Sequence, residues 1–497
     1  MSAGSQGAGG GRPPDRRAAG DIIVIGGGLA GITAALDCAQ AGARVTLLEV
    51  RRRLGGAAYS FERESLNVDN GQHVFLRCCG AYRALLERLG SSAGVTVQKR
   101  LEIPVLSPGR RPVALRRGRL PAPAHLAGAL LGYPHLPVSR RLSAARAVAA
   151  LARLDPSDQA LEAGTTFGRW LAEHGQDERD VALLWDLVVL PTLNLPAAQA
   201  SLGLGAFVFQ EGLLAKASAG DIGFHERPLT ETLGEPAASA LAGAGVEVRL
   251  GWRAQRIERD GPGLGGQGLG GSGYGGQGLG GQGREDRGRG DPDRWGEGLI
   301  VRGAGERGDE EQLRARVVVV AVPHARAAGL LESLQPELAG RLRQLQGSPI
   351  VNLHVVYDRT VCEHRFAAGV RSPVQYLFDR TAAGGVPAGC QYLAVSLSAA
   401  DREMQMSVQE LRERYLPALE GLLPRARQAR VETFFATREH AATFRAVPGV
   451  ARLRPAARTS TPGLILAGAF TDTGWPATLE GAVLSGHSAA RAALERT

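Results

Sequence analysis

The sequence predicts an α/β fold built around a parallel sheet, and three consecutive segments near its start support this prediction. Residues 21–25, "DIIVI", have the unbroken apolar pattern of a buried parallel strand. The next segment, "LAGITAALDCAQAG", spaces its apolar residues as a helix does, and Gly42 supplies a stop signal. The segment "RVTLLEV" at 44–50 predicts a second strand. These elements form a β-α-β unit, which is how parallel strands are connected.

Length and composition limit the kinds of protein that the chain can be. Its 497 residues predict two or three domains, and 44% apolar residues are enough for large cores. The formal net charge is +9, yet no interleaving of basic and aromatic residues indicates a nucleic-acid groove, so no nucleic-acid partner is predicted. Five cysteines without framework or ligand spacing predict neither disulfides nor a metal site, and a reducing cytoplasm fits them.

Two low-complexity segments are predicted to be flexible. Residues 1–19 consist largely of Gly, Ser, Pro and Arg, and residues 261–298 begin with a repeated Gly-Leu-Gly-Gly-Gln-Gly unit. Strand-like segments flank the second one, so we interpret it as the extended tip of a hairpin. A further strand, expected to be fully buried, is predicted within "ARVVVVAVP" at 315–323.

Residues 120–139 contain no charged side chain, and arginines precede and follow them. Four prolines argue against a simple membrane-spanning helix. Two interpretations remain open: an apolar patch that contacts an anionic membrane surface, or a lid or core segment of a second domain.

A dinucleotide-binding fingerprint follows the first strand. Gly26, Gly28 and Gly31 satisfy G-x-G-x-x-G, which allows a tight turn, close approach of the backbone to a diphosphate, and close packing of helix on strand. Glu49 ends the second strand, where a carboxylate accepts hydrogen bonds from the adenosine ribose. The fingerprint alone does not distinguish FAD from NAD. Two features favour FAD: Gly55-Gly56 soon after Glu49, and the segment "LAGAFTDTGWPATLEGAV" close to the C-terminus. FAD is long and extended, so its ring end needs contacts from a second part of the chain.

Three segments carry a resemblance to a known family: "GGGLAGITAAL…VTLLEVRRRLGGAAYSF", "VDNGQHVFLRCCGAYRALLERLG" and "LAGAFTDTGWPATLEGAVLSG". Together they resemble the amine oxidase and phytoene desaturase superfamily of flavoproteins. Within it, "DNGQH" at 69–73 and "TDTGWPATLEGAV" at 471–483 are most similar to the hydroxysqualene dehydroxylases, also described as squalene-associated FAD-dependent desaturases.

The resemblance implies a Rossmann-like, doubly wound FAD-binding domain of the glutathione-reductase type, with an inserted α+β substrate domain. The FAD-binding domain is expected to comprise residues 20–95, 221–345 and 458–497. The substrate domain is expected to comprise residues 96–220 and 346–457.

The resemblance also implies roles for individual residues. The family's diphosphate-binding glycines correspond to Gly26, Gly28 and Gly31 of this chain, and its ribose-binding acid corresponds to Glu49. The other cofactor contacts that the resemblance implies are Arg53, Gly55, Gly56, Val248, Gly468 and Leu479. Leu479 would begin a final helix whose N-terminus faces the flavin ring. The chain departs from the family pattern at two positions, since Ala57 replaces a common Arg and Ala469 replaces a common acid. Loss of the acid is expected to weaken FAD binding or to shift its contact to Thr471 or Asp472.

The implied chemistry is reductive removal of an allylic hydroxyl from hydroxysqualene, which yields squalene. The hydroxyl must be protonated as it leaves, and the candidate acids in the distinctive motifs are Asp69, His73 and Asp472. His73 could instead be a packed structural histidine, and Asp472 a turn acid. Alternative functions are a carotenoid or phytoene desaturase, an amine oxidase, or a non-catalytic FAD-binding assembly partner.

The expected partners follow from this chemistry. An apolar isoprenoid substrate predicts a cytoplasmic protein that contacts the inner face of the cell membrane, with residues 120–139 as the candidate contact. Neighbouring enzymes of the squalene pathway are further candidate partners.

Overall fold

The computed structural model describes residues 21–155, 164–260 and 298–496. The predictions for residues 1–19, and for all but the last residue of the Gly-rich segment 261–298, lie outside the described residues.

The strands of the described residues are β1 Ile22–Ile25, β2 Val45–Glu49, β3 Ser60–Arg63, β4 Leu66–Asp69, β5 Phe75–Leu76, β6 Val95–Val97, β7 Glu102–Leu106, β8 Val113–Arg116, β9 Ile222–His225, β10 Glu247–Leu250, β11 Arg253–Arg259, β12 Leu299–Ala304, β13 Glu310–Ala315, β14 Val317–Val320, β15 Gly347–Tyr357, β16 Phe366–Gly369, β17 Tyr376–Asp379, β18 Gln391–Ser398, β19 Val431–Phe444 and β20 Leu464–Leu466.

The α-helices of the same residues are α1 Leu29–Gln40, α2 Gly80–Arg88, α3 Ala127–Leu131, α4 Val138–Leu151, α5 Phe167–Glu173, α6 Glu178–Asp180, α7 Asp186–Leu193, α8 Leu202–Phe209, α9 Glu235–Gly243, α10 His324–Leu331, α11 Pro336–Arg343, α12 Thr381–Gly384, α13 Val408–Leu422 and α14 Leu479–Leu494. Short π-helical segments extend three of the helical regions, at Val181–Trp185, Gln210–Leu214 and Thr230–Gly234.

A five-stranded parallel sheet in the order β10-β2-β1-β14-β20 carries the predicted β-α-β unit. Its two central strands, β1 and β14, are completely apolar and buried, as expected where helices cover both faces of a parallel sheet. The α/β prediction and the strands predicted at 21–25, 44–50 and 315–323 are therefore confirmed. Strands that are far apart in the sequence meet in this sheet, because β20 joins β14 only after the chain has built the rest of the molecule.

Two helices from opposite ends of the chain cover one face of this sheet. The final helix, α14, packs along α1, and Gly486 makes their close approach possible. A Cβ atom on Gly486 would lie 2.5 Å from the carbonyl oxygen of Ala30. The C-terminal segment therefore closes the domain that the first 50 residues begin.

A smaller antiparallel sheet, β11-β12-β13, contains the flanks of the Gly-rich segment. Arg259 pairs with Leu299, so the two flanks form the arms of a hairpin, as predicted.

A seven-stranded sheet forms the second body of the fold, in the order β19-β15-β18-β17-β16-β7-β8. Its strands come from residues 102–116 and 347–444, both within the segments predicted for the substrate domain. The exact domain boundaries remain predictions.

The alternation of side chains along β15 gives this sheet two different faces. Val351, Leu353 and Val355 pack in a buried cluster with α13, which begins with a Ser407–Glu410 capping box. Asn352 and His354 point to the opposite face and are completely buried there. This face is turned towards the loop that follows β4.

Among the described residues, no helix is both long enough and apolar enough to cross a membrane.

Candidate active site

The loop between β1 and α1 is held in a conformation that only glycine allows. Gly26 has a φ of +113°, and a Cβ atom on Gly31 would lie 1.9 Å from the Gly26 carbonyl oxygen. A Cβ atom on Gly56 would lie 2.6 Å from the Cα atom of Gly28. Gly28 is the N-cap of α1, and no described side chain caps this helix. The N-terminus of α1 therefore has no side-chain cap, which leaves it open to a diphosphate.

Glu49 lies beside this loop, at the end of β2. Its carboxylate accepts the N–H groups of Gly27 at 2.6 Å and Arg51 at 2.8 Å. These bonds fix the orientation of a buried acid next to the helix N-terminus, which is consistent with the predicted ribose contact. Val248, the predicted adenine neighbour, pairs with Leu47 on the adjoining strand.

Arg53 supplies positive charge beside the two glycine turns. Its guanidinium lies 3.4 Å from the centroid of the Tyr59 ring and donates to the Gly56 carbonyl oxygen at 3.3 Å. Its Nη2 atom is buried without a partner among the described residues. A half-buried guanidinium with a free donor, next to an uncapped helix N-terminus, fits an anionic cofactor. Ala57, where the family commonly has an arginine, contributes its carbonyl oxygen as an acceptor for Asn70.

The distinctive C-terminal motif forms the loop between β20 and α14. The final helix begins at Leu479, as predicted, and the Thr478 hydroxyl caps it by accepting the N–H of Gly481 at 3.1 Å. Buried Arg454 supports the loop by donating to the carbonyl oxygens of Thr471 and Trp475, both at 2.6 Å.

The turn that begins this loop contains the second departure from the family pattern. Gly468 has a φ of +137° and donates its N–H to the Ser485 hydroxyl. The Thr471 hydroxyl donates to the Gly468 carbonyl oxygen at 2.9 Å. Thr471 therefore closes the turn in which Ala469 stands.

Glu480 connects two of the segments that carry the family resemblance. It lies in the first turn of α14, is buried, and accepts the N–H groups of Ala81 and Tyr82 at 2.9 and 2.7 Å. These N–H groups belong to the first turn of α2, so a residue of the C-terminal segment caps the helix that follows "DNGQH". Burial raises the pKa of the Glu480 carboxyl, and the two hydrogen bonds oppose this shift.

His73 is at the centre of a polar cluster that several distant segments build. Its Nε2 atom and the Nδ2 atom of Asn352 lie on the same side of Gly71, at 3.4 and 3.8 Å from the position of a Cβ atom there. Burial lowers the pKa of His73, while the carboxylates of Asp69 and Glu439 oppose the shift. His73 is therefore mainly neutral at pH 7, with two acids near enough to stabilise its charged form.

Three residues of this cluster were not identified from the sequence: Glu439, Asn352 and His225. Glu439 accepts the Asn70 side-chain amide at 2.9 Å, and Asn352 donates to the Asn70 carbonyl oxygen at 3.1 Å. The Oδ1 atom of Asn352 is buried without a partner among the described residues. Glu439 also lies near enough to Arg53 to affect its pKa. It therefore lies between the cofactor side of the cluster and the histidine.

His225 extends the cluster on β9. Its Nε2 atom lies 3.1 Å from the hydroxyl of Tyr82. Burial lowers its pKa to about 3, and the neighbouring charges of His73 and Arg380 add to this effect. His225 is thus neutral in the physiological range. No sequence motif contains His225, Asn352 or Glu439, so only the pairing of strands could have revealed them.

Asp69 lies near His73, but its oxygens are already occupied. They accept the Arg380 guanidinium and the Ser60 hydroxyl, each at 2.6 Å, and the N–H of Leu229 at 3.1 Å. Asp69 and Arg380 form a largely buried ion pair that joins β4 to the loop after β17. This geometry suits a structural carboxylate, and it does not support the prediction that Asp69 donates a proton.

Asp472 does not join the cluster. Its side chain is exposed and accepts the N–H of Gly474 at 3.3 Å, while its own N–H donates to the Pro455 carbonyl oxygen. It is therefore placed as a turn acid, the alternative that the sequence left open.

Comparison with known proteins identifies the family. The model of the family described as "flavin containing amine oxidoreductase" matches residues 29–274 and 296–494. The chain belongs to this family. It is thus an FAD-dependent oxidoreductase, and the superfamily indicated by the three sequence motifs is confirmed.

Relatives of known name resemble the chain over nearly its full length. It is 27% identical to hydroxysqualene dehydroxylase of Rhodopseudomonas palustris, covering 94% of this chain and 97% of that protein. It is also 27% identical to the Sinorhizobium fredii protein of the same name, covering 96% and 99%. A zeta-carotene desaturase of Solanum lycopersicum is 28% identical, but over only 34% of this chain and 30% of its own length.

Solved structures have the same fold. Putrescine oxidase bound to putrescine superimposes with a TM-score of 0.67 at 16% identity, covering 96% of this chain and 99% of that one. Cyclohexylamine oxidase from Brevibacterium oxydans gives 0.65 at 19% identity, with the same coverage. The Rossmann-like FAD-binding fold with a substrate domain is therefore confirmed.

The residues described above fit FAD. The uncapped α1 N-terminus and Arg53 would hold the diphosphate, Glu49 the ribose, and the N-terminus of α14 would face the ring. When bound, this cofactor supplies hydride transfer. The contacts of the individual residues remain predictions.

Proposed function

We propose that this protein removes the hydroxyl group of hydroxysqualene reductively and yields squalene. The observation that carries the proposal is the resemblance to the hydroxysqualene dehydroxylases, which extends over 94–96% of the chain in the two relatives described above. The resemblance to a zeta-carotene desaturase is limited to about a third of the chain. The chemistry balances, since the substrate gains a hydride and a proton and loses water.

The role of the chain's own residues is to manage that proton. His73 is the candidate donor to the leaving hydroxyl, because it is the titratable side chain at the centre of the cluster. Its lowered pKa makes the imidazolium a stronger acid but a rarer species, and Glu439 and Asp69 partly restore its population. Asn70, bonded to Glu439 and Ala57, fixes the carboxylate beside the cofactor side of the site.

An apolar cluster adjoins this polar one and suits a hydrocarbon chain. It includes Leu76, three residues after His73, and the contacting rings of Phe224 and Phe366, whose centroids are 5.0 Å apart. Apolar walls exclude water from the leaving group and from the allylic cation that its departure creates.

The direction of hydride transfer separates this proposal from a desaturase. Purified enzyme with FAD and a reductant is incubated anaerobically with hydroxysqualene, and the extract is analysed for squalene. We expect squalene in amounts proportional to reductant consumed. If squalene is absent while phytoene and an oxidant give desaturated products, the proposal is wrong and the desaturase alternative replaces it. Oxidation of simple amines in the same preparation would instead support an amine oxidase.

A further inference from the structure

The most basic part of the chain surrounds the uncharged segment. Residues 103–154 contain nine arginines and no aspartate, glutamate or lysine, whereas the whole chain has a net charge of only +9. The structure places this stretch in the β7–β8 hairpin, α3 and α4, at one edge of the seven-stranded sheet. A concentrated positive charge of this kind attracts anionic surfaces.

The same stretch exposes an unusual amount of apolar surface. Of the eight exposed large hydrophobic residues in the described chain, four lie between positions 120 and 142. They are 47–64% exposed, and they are Leu120, Leu131, Val138 and Leu142. Val138 and Leu142 are one turn apart on α4, so they share a face. The Arg141 guanidinium donates to the Leu131 carbonyl oxygen at 2.7 Å, which brings the end of α3 to the same side.

Arginines without acidic partners border this apolar surface. Arg119 precedes Leu120, and Arg146 lies one turn beyond Leu142 on α4; both are exposed and form no ion pair with a described residue. Arg140, by contrast, pairs with Asp177 and Asp180, and Arg116 and Arg117 pair with Glu102 and Asp221, so these three contribute no free charge. Exposed leucine and valine between free guanidinium groups complement anionic headgroups above a hydrocarbon layer.

A groove lies against the buried part of the same segment. It has a volume of about 410 Å³ and lies between residues 179–191 and 369–376. Hydrogen bonds join it to the segment, because the Tyr133 hydroxyl donates to the Leu183 carbonyl oxygen and Arg371 donates to that of His135. Leu183, which lines the groove, belongs to the apolar cluster that also contains Phe224 and Phe366.

We propose that residues 120–142 dock the protein on an anionic phospholipid bilayer, and that the adjoining groove receives an apolar chain from it. The docking does not depend on the proposed function. Only the chemical identity of the apolar molecule that enters the groove rests on that function. Within this segment Leu130 packs against the core, whereas Leu131 is exposed.

Vesicle flotation of the FAD-loaded protein tests the docking. Phosphatidylcholine vesicles are compared with vesicles that also contain phosphatidylglycerol, using the wild type and the triple variant Leu131→Asp/Val138→Asp/Leu142→Asp. We expect the wild type to prefer the anionic vesicles and the triple variant to bind them at least about tenfold more weakly. Arg119→Gln and Arg146→Gln should each cost about fivefold, with less effect at high salt. The matched control, Leu250→Asp/Val408→Asp, changes exposed apolar residues elsewhere and should bind as the wild type does.

Further readouts separate the possible outcomes. Flavin absorbance establishes that each variant retains its cofactor, and turnover of hydroxysqualene in detergent should stay unchanged in the triple variant while turnover from vesicles falls. Equal binding of the wild type and the triple variant, or equal loss in the control, overturns the proposal. Absence of vesicle binding, with a dimer that the triple variant dissociates, shows that a second copy covers this surface. If the wild type binds vesicles but makes no squalene in either medium, the proposed function fails and the docking stands.

Discussion

The glycine loop and the His73 cluster are assembled in opposite ways. In the loop, Gly26, Gly28 and Gly31 lie within six residues, and their roles follow from backbone sterics between near neighbours. In the cluster, Glu439 and His73 are 366 positions apart, and only the tertiary packing brings them together. The comparison shows that the conformation of the glycine loop is encoded locally, whereas the cluster proposed for proton transfer is encoded in the tertiary fold. The two should therefore respond differently to substitution.

Gly31→Ala should have the largest effect. Its Cβ atom would meet the Gly26 carbonyl oxygen, a backbone atom, at 1.9 Å, so α1 could not keep its place on the sheet. We expect loss of bound FAD, measured by flavin absorbance of the purified protein, together with a lower melting temperature. The control, Gly329→Ala in α10, adds a Cβ atom in open space and should retain FAD with equal or slightly greater stability. Full flavin content in Gly31→Ala would contradict the described loop.

Asp69→Asn tests whether the acid that lies beside His73 is structural. Removing one partner of a buried ion pair leaves Arg380 uncompensated, which costs about 3–5 kcal/mol of unfolding free energy. Urea unfolding measures this loss. The double variant Asp69→Asn/Arg380→Met should recover part of it. A variant with unchanged stability but abolished turnover would restore the catalytic role predicted from the sequence.

His73→Gln against Asp472→Asn sharpens the assignment of the proton donor. We expect His73→Gln to lower kcat by about 100-fold, the usual contribution of a positioned acid, with FAD retained. Asp472→Asn changes only an exposed turn and should stay within about twofold of the wild type.

The pH profile of the wild type provides a second check on His73. Because burial lowers its pKa, the protonated form, and with it kcat/KM, should fall as pH rises through a value below 6.5. A profile that is the same in His73→Gln would exclude His73 as the donor.

The smallest effect is expected at Asp186, in the groove of the second body. Burial raises the pKa of Asp186 from 3.8 to about 6, although its carboxylate accepts the N–H of Ala197 at 2.9 Å. The folded state therefore binds the proton more tightly than the unfolded state, and stability falls as pH rises from about 4 to 6. Asp186→Asn should remove this dependence and raise the free energy of unfolding by about 1–2 kcal/mol at pH 7.5. Urea unfolding at about pH 4 and at pH 7.5 measures both effects. If the variant keeps the pH dependence of the wild type, the burial of Asp186 does not cause that dependence.

The sequence by itself determined the β-α-β unit, the glycine loop and Glu49 at the end of β2, while the start of α14 at Leu479 was implied by the family resemblance. These features depend on contacts between near neighbours, or on backbone conformations that few residues adopt, so they leave a local pattern. The hairpin around the Gly-rich segment was predictable for the same reason.

Only the tertiary structure decided which polar residues share a site. Asp69 and Asp472 stand in distinctive motifs, yet the first pairs with Arg380 and the second lies in an exposed turn. Asn352 and Glu439 stand in ordinary strand sequences, yet the face of the sheet that they share turns them towards Asn70. Alternation along a strand predicts which of its side chains share one face of the sheet. The pairing of distant strands determines which other residues lie on that face.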